Sequence, residues 1–412
     1  GVPFPVWYPV DDDGGVDYDR PLLAGEDRLP VDPSSDVPDG YEESARGVPG
    51  GFVGDPDVMD TWATSSLTPQ VAGRWEEDPD LFARVFPMDL RPQAHEIIRT
   101  WLFSTVVRSE IEFGCLPWGD TAISGWVLDP DRKKMSKSQG NVVTPMPLLE
   151  AHGADGVRYW AASGRPGVDT AFDEAQMKVG RRLAIKVLNA SRFALSRLDG
   201  AAAPGPEAVT APIDLSMLAG LAVVVDEATA AFEAFDYARA LERTEAFFWS
   251  FCDDYLELVK ARAYEDPAEA GPASARAALA LALSVLLRLL APFLPFVVEE
   301  VWSWWHEGSV HRAPWPGTRE LPLVVLGRGD GGGDSGVLGV AAEVLGSVRR
   351  AKTDAKRSMR ATVARLTVTD DAARLALLAE AEGDLREAGG IVEFVTRPGD
   401  PDIAVELAPE EE

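Results

Sequence analysis

At 412 residues, with a formal net charge of −28 and two cysteines, Cys115 and Cys252, the chain is long enough for two to four domains with separate cores. The composition reads as that of a cytoplasmic protein without disulfides, and with four histidines, no CxxC and no HExxH a structural zinc site is not expected. The most apolar stretch, 277–298, is interrupted by Arg288, Pro292 and Pro295, so no membrane span is expected.

The acidic surplus argues against nucleic-acid binding only if charge is spread evenly, and it is not. Between 178 and 198 stand Lys178, Arg181, Arg182, Lys186, Arg192 and Arg197 with no acidic residue. Between 346 and 365, Arg349, Arg350, Lys352, Lys356, Arg357, Arg360 and Arg365 face Asp354 alone. Screening confines exposed charges to about 8–10 Å, so local basic faces on an acidic protein can still follow a phosphate backbone.

In chain order, the sequence begins at Gly1 without a methionine and reads as the interior of something longer. Residues 10–54, rich in Asp, Gly and Pro, suit surface loops and short strands. Asp60-Thr61-Trp62 opens a small, polar run. After Pro92, the spacing of Ile97, Ile98, Trp101 and Leu102 predicts a helix whose N-terminal dipole could face an anion. Trp62 and Trp101 can be core aromatics or pocket walls. Residues 121–128 read as a strand leading through the turn Asp129-Pro130-Asp131 into the loop 133–141. That loop gathers Lys133, Lys134, Lys137, Ser136, Ser138 and Gly140. It is either a solvated basic turn or a cradle for a polyphosphate, whose charge the lysines neutralise and whose oxygens the serines bind.

Beyond it, 145–158 and 159–163 read as helices and 164–170 as a break. Helical periodicity then predicts an antiparallel bundle from 177–198, 215–232, 237–264 and 273–290, with a proline-kinked continuation through 298–305. The first of these helices presents either an ordinary solvated face or a backbone-binding one. A Gly-Asp linker at 327–336 precedes a small α+β module: a helix at 338–360, a strand at 362–368, a helix at 372–388 and strands at 391–396 and 403–407.

Lys134-Met135-Ser136-Lys137-Ser138 matches, letter for letter, the KMSKS signature of class I aminoacyl-tRNA synthetases. With Asp60-Thr61-Trp62 and the run from Gln93 to Leu102, the chain is similar to the valyl members of that class. Ala63 and Ala94-His95-Glu96 depart from the common bacterial pattern and point to a different branch.

The resemblance implies a multidomain chain. It would comprise the return of a connective insertion (1–56), the second half of a Rossmann-like α/β catalytic domain (57–176), an all-α anticodon-binding helical bundle (177–320) and a small α+β C-terminal module (337–412). It implies ATP with Mg2+, valine and tRNA(Val) as substrates. Lys134 and Lys137 would be catalytic, and Met135, Ser136, Ser138, His95 and Gln93 would contact ATP. Trp62, Ile97, Trp101 and Glu96 would line the amino-acid pocket. Lys178, Arg181, Arg182, Arg349, Arg350 and Lys356 would meet tRNA.

No His-x-Gly-His element and no editing domain occur in the sequence, so the resemblance implies the C-terminal part of an enzyme whose N-terminal half is its partner. A non-catalytic tRNA-binding protein and an isoleucyl enzyme are the rival readings.

Overall fold

A computed structural model describes residues 1–136, 140–198, 205–322 and 336–409. The chain divides into two compact units, Gly1–Trp126 and Val127–Glu412. The division falls inside the segment 57–176 taken from the sequence as one piece.

In the first unit, β1 (Val2–Pro3) pairs antiparallel with β5 (Val58–Met59), and β2 (Val6–Pro9) lies between β3 (Leu22–Leu23) and β4 (Phe52–Gly54). Trp7 and Phe52 are fully buried, and Trp7 Nε1 donates to the Asp36 carbonyl at 3.1 Å, so the loops between these strands wrap a small aromatic centre. Short helices α1 (Trp62–Ser65), α2 (Thr68–Ala72) and α3 (Pro79–Val85) follow, the last capped by Asp78.

A parallel pair then forms: β6 (Met88–Ala94) and β7 (Trp118–Ser124), joined by a π-turn (Ile98–Leu102) and α4 (Phe103–Phe113). The helix expected to start after Pro92 begins later, because Pro92, Gln93 and Ala94 continue the strand in register with Ala122, Ile123 and Ser124. Among the described residues β6 pairs on one side only, a position that tolerates a proline without an N–H.

In the second unit, β8 (Val127–Leu128) pairs parallel with β9 (Thr170–Ala171). Between them lies α5 (Pro145–Ala162), interrupted at Gly153, whose φ of 74° and ψ of 160° break the helix in two. Helix α6 (Glu174–Ser196) starts at its cap Asp173, which accepts from the backbone of Ala175 and Gln176. It packs closely on α5 at Gly180, where a Cβ would stand 2.4 Å from that of Tyr159.

The bundle continues through α7 (Pro212–Glu233), α8 (Tyr237–Ser250), α9 (Leu256–Tyr264), α10 (Ala270–Leu290) and α11 (Pro295–Trp302). The single helix expected over 237–264 carries a π-turn, Phe251–Tyr255, between α8 and α9. By length and composition α7 and α10 could each cross a bilayer, whereas the interruptions by Arg288, Pro292 and Pro295 lead to the expectation of no span. Most of α10 is buried within the bundle, and Arg288 inside it is held by Glu320.

The C-terminal module comprises α12 (Val337–Asp354), β10 (Val363–Asp370), α13 (Ala372–Ala379), α14 (Glu382–Gly389), β11 (Ile391–Pro398) and β12 (Asp402–Leu407). Strand β10 is central, parallel to β11 and antiparallel to β12. The predicted linker at 327–336 lies, apart from Gly336, outside the described residues. The helix expected over 338–360 ends at Asp354, and that expected over 372–388 is two helices with a break at Glu380 and Ala381. One apolar core runs from Tyr159 through the bundle into Leu366, Leu385 and Ile391, so bundle and module share an interior.

Beside that core lies a buried polar cluster. Asp214 is wholly buried. It accepts from Tyr255 Oη (2.8 Å), Ser274 Oγ (2.6 Å) and both terminal nitrogens of Arg262 (2.9 and 2.8 Å). Arg262 also donates twice, at 3.0 Å, to Asp384 of the module. Ser274 in turn accepts the backbone N–H groups of Thr210 and Ala211 at the start of α7.

Candidate functional site

The candidate residues fall into groups, each built by local rules. In the first unit, Asp60 forms an Asx turn, its Oδ1 accepting the Trp62 N–H at 2.8 Å, which starts α1. The end of that helix is tied to the π-turn: Trp101 Nε1 donates to the Ser65 carbonyl at 2.6 Å, and Thr105 Oγ1 donates to the Trp101 carbonyl at 2.7 Å. Trp62 and Trp101, both half-buried, therefore belong to one connected feature.

Gln93, His95, Glu96 and Ile97 follow one another where β6 turns into that feature. Gln93 is 7% exposed, and neither atom of its amide has a partner among the described residues. A buried amide in that state has unmet hydrogen-bonding capacity for a ligand. His95 is exposed, its Nδ1 3.2 Å from the Ser124 carbonyl and its ring edge-on to Trp126 at 4.7 Å. Glu96 is exposed and Ile97 half-buried.

In the second unit, the entry to the signature loop is a closed clamp. Asp129, 6% exposed, accepts the Lys133 N–H at Oδ1 (2.8 Å) and the Asn141 amide at Oδ2 (2.7 Å), and its own N–H donates to the Lys133 carbonyl. Asn141 also donates to the Lys134 carbonyl (3.2 Å) and accepts the Ser136 N–H (2.9 Å). Lys134 further forms a β-bridge with Leu128. These bonds, the Lys133 N–H first and Asn141 next, hold the Asp129 carboxyl below the usual carboxylate range.

Lys134 is exposed, while Met135 and Ser136 are half-buried. Lys137 and Ser138 lie outside the described residues. Reading the sequence singled out the lysines and serines but missed the Asp129–Asn141 clamp. Its signal was an Asx residue at each end of the basic run.

The basic residues occupy two helices. On α6, Lys178, Arg181 and Arg182 are exposed, with Arg181 Nη1 donating to the Ala151 carbonyl at 2.5 Å. On α12, Arg350 is exposed and Arg349 half-buried, whereas Lys356 lies past the helix end with a φ of 55°. The two helices meet a common acidic pair in the π-turn. Lys186 of α6 bonds Asp253 at 2.8 Å; Arg349 bonds the Asp254 carboxylate at 3.3 Å and the Asp253 carbonyl at 2.6 Å. Burial raises the Asp254 pKa despite Arg349. Lys352, grouped with these residues by sequence, is buried, its Nζ donating to the Met359 and Gly389 carbonyls. Among the described residues no group of three or more His, Cys, Asp or Glu converges as a metal site.

A basic loop closed by Asp129 and Asn141, a linked tryptophan pair beside a parallel βαβ unit and a helical bundle with basic residues on two helices are the features to compare with known families. Residues 1–173 match the family model for tRNA synthetases class I (I, L, M and V), and residues 214–367 match that for the anticodon-binding domain of tRNA ligase. The chain therefore carries a class I tRNA synthetase domain followed by the anticodon-binding domain of a tRNA ligase. It is similar to the valine–tRNA ligases of Thermobifida fusca (64% identical over 100% of this chain and 46% of that protein) and Salinispora tropica (61% identical over 99% and 48%). The chain thus spans about half the length of the curated relatives it matches. It shares its fold with a LeuRS of Agrobacterium radiobacter, crystallised as a ternary complex with tRNA and LeuAMS. The TM-score is 0.60 at 22% identity, covering 78% of this chain and 41% of that one.

Proposed function

We propose that the chain is a working part of a cytoplasmic valine–tRNA ligase that activates valine with MgATP and transfers it to tRNA(Val). The observation that carries this reading is 64% identity to a valine–tRNA ligase over the whole of the chain. The relatives' greater length supports a catalytic unit to which this chain contributes 57–176 and which other residues of the same protein complete.

In the first step the valine carboxylate attacks the α-phosphorus of ATP and pyrophosphate leaves. This step needs positioning and charge stabilisation more than covalent help. Lys134 and Lys137 serve the developing charge on the leaving group, with Met135, Ser136 and Ser138 shaping the loop. Gln93 and His95 face the nucleotide, and Gln93's unmatched amide favours that role. Trp62, Ile97, Trp101 and Glu96 receive valine. In the second step the terminal ribose hydroxyl of tRNA displaces AMP from the adenylate. Lys178, Arg181, Arg182, Arg349, Arg350 and Lys356 meet the tRNA backbone, and the convergence of α6 and α12 on Asp253 and Asp254 supports one continuous contact face.

The test is valine-dependent ATP–pyrophosphate exchange by the complete protein and its Lys137→Ala variant. Loss of a charge made useful mainly in the transition state lowers kcat by about 10²–10³ with little change in valine KM. Exchange that is unaffected removes Lys137 from catalysis. Absence of exchange in the wild type, with tRNA still bound, favours the non-catalytic reading.

A further inference from the structure

Arg91 sits within β6, two residues before Gln93, so both side chains emerge on the buried face of the strand. Its guanidinium carbon lies 3.1 Å from the centroid of the Trp101 ring and 4.7 Å from that of Trp118. The side chain is as buried as Gln93, and its Nε and Nη2 have no hydrogen-bond partner among the described residues. Burial pushes its pKa down to about 10, so it keeps its charge at neutral pH. A buried cation without a carboxylate is costly, and the faces of two indoles are what compensate it. An aliphatic residue would fill the strand interior without that cost. What the arginine adds is a broad, planar, charged contact with one ring in particular. That ring is already tethered at its nitrogen to the Ser65 carbonyl, and the backbone carbonyl of the same tryptophan accepts from Thr105 Oγ1.

We propose that Arg91 is a positioning residue for amino-acid selection: lying over the Trp101 ring, it fixes the plane of that indole and so the width of the pocket for a branched side chain. The inference rests on the reading of Trp101 as a pocket wall. Arg91 touches no substrate and acts through the tryptophan. With the ring free to tilt, the pocket loosens toward a side chain one methylene larger than valine. Rejection of that side chain is a discrimination that packing alone supports to about 10–200-fold.

The test compares wild type, Arg91→Met, Arg91→Lys and Trp101→Ala in the complete protein, by ATP–pyrophosphate exchange with valine and with isoleucine. Arg91→Met keeps length and apolar packing but loses the charge and the plane. It is expected to raise the valine KM by about tenfold and to narrow the preference for valine over isoleucine by about tenfold, with the KM for ATP unchanged. Arg91→Lys, which keeps charge without the plane, is expected to lie between, at about threefold on both readouts. A merely structural defect would lower the active fraction, reducing kcat for both amino acids alike and leaving KM and the ratio unmoved.

Wild-type KM and ratio in Arg91→Met overturn the inference, and if that variant fails to fold, the same result in Arg91→Lys does so. Trp101→Ala separates the two levels. If it changes the ratio while the arginine variants do not, the inference alone falls; if it leaves the ratio unchanged, the pocket reading falls with it.

Discussion

Asn141 makes three hydrogen bonds that together close the ends of the signature loop: to Asp129, to the Lys134 carbonyl and from the Ser136 N–H. Each such bond is worth about 0.5–1.5 kcal/mol net, more where a charged group accepts it. Asn141→Ala should therefore leave the bundle intact yet release Lys134 from its bridged position. Pyrophosphate exchange in the complete protein should drop by about 10–100-fold, since misplacement by an ångström can cost that much. An unchanged exchange rate would show the clamp to be dispensable. The Asp129 carboxyl gives the clamp a pH dependence. Its folded pKa is depressed, so the stabilisation is fully present above the unfolded value of about 3.9 and is lost as pH falls through the lower folded value. Acid titration followed by NMR of the Asp129 carboxyl should find it below its free value, and Asn141→Ala should move it up.

Among the elements, the long bundle helices were legible in the sequence because twenty or so residues of 3.6-fold periodicity outweigh local exceptions. Their ends were not, since caps such as Asp173 lie outside the periodic run. Strand β6 was misread for a definite reason: the apolar spacing of Ile97, Ile98, Trp101 and Leu102 is helical, and Pro92 looks like a helix start. Pairing with β7 decides the matter, and pairing is a non-local fact. The same holds at the candidate site. The lysines and serines of the loop are singled out by residue type alone, but Arg91 gains meaning only when Trp101 and Trp118 are brought over it. Helix α5 offers a test of local conformation. Gly153 adopts φ 74° and ψ 160°, a region essentially reserved for glycine, with open space around the position of a Cβ. Gly153→Ala should destabilise the second unit by about 1–3 kcal/mol through backbone strain rather than collision, read as a lower urea midpoint at constant m. No shift would mean that α5 straightens at little cost.

At the scale of the whole molecule, Arg262 joins the bundle to the C-terminal module by holding Asp214 and Asp384 at once, in a site where Arg262 is 15% exposed and Asp214 wholly buried. Removing one partner of a buried pair costs about 3–5 kcal/mol, because the remaining charge is stranded. Arg262→Met should therefore lower stability by that order in urea denaturation of the chain. Asp384→Asn, which keeps a hydrogen-bonding oxygen, should cost less than half as much. Equal losses in the two variants would argue that packing, not charge, sets the junction. The same junction has a direction in time. Asp214 finds Tyr255, Arg262 and Ser274 within the next sixty residues of chain, whereas Asp384 follows Arg262 by 122 residues. At a synthesis rate of about 5–20 residues per second, that interval is roughly 6–24 s. A nascent bundle can thus satisfy its own buried acid and wait with one guanidinium edge open. The module cannot bury Asp384 until the bundle stands. The order in which the ribosome delivers the two parts is the order in which each can do without the other.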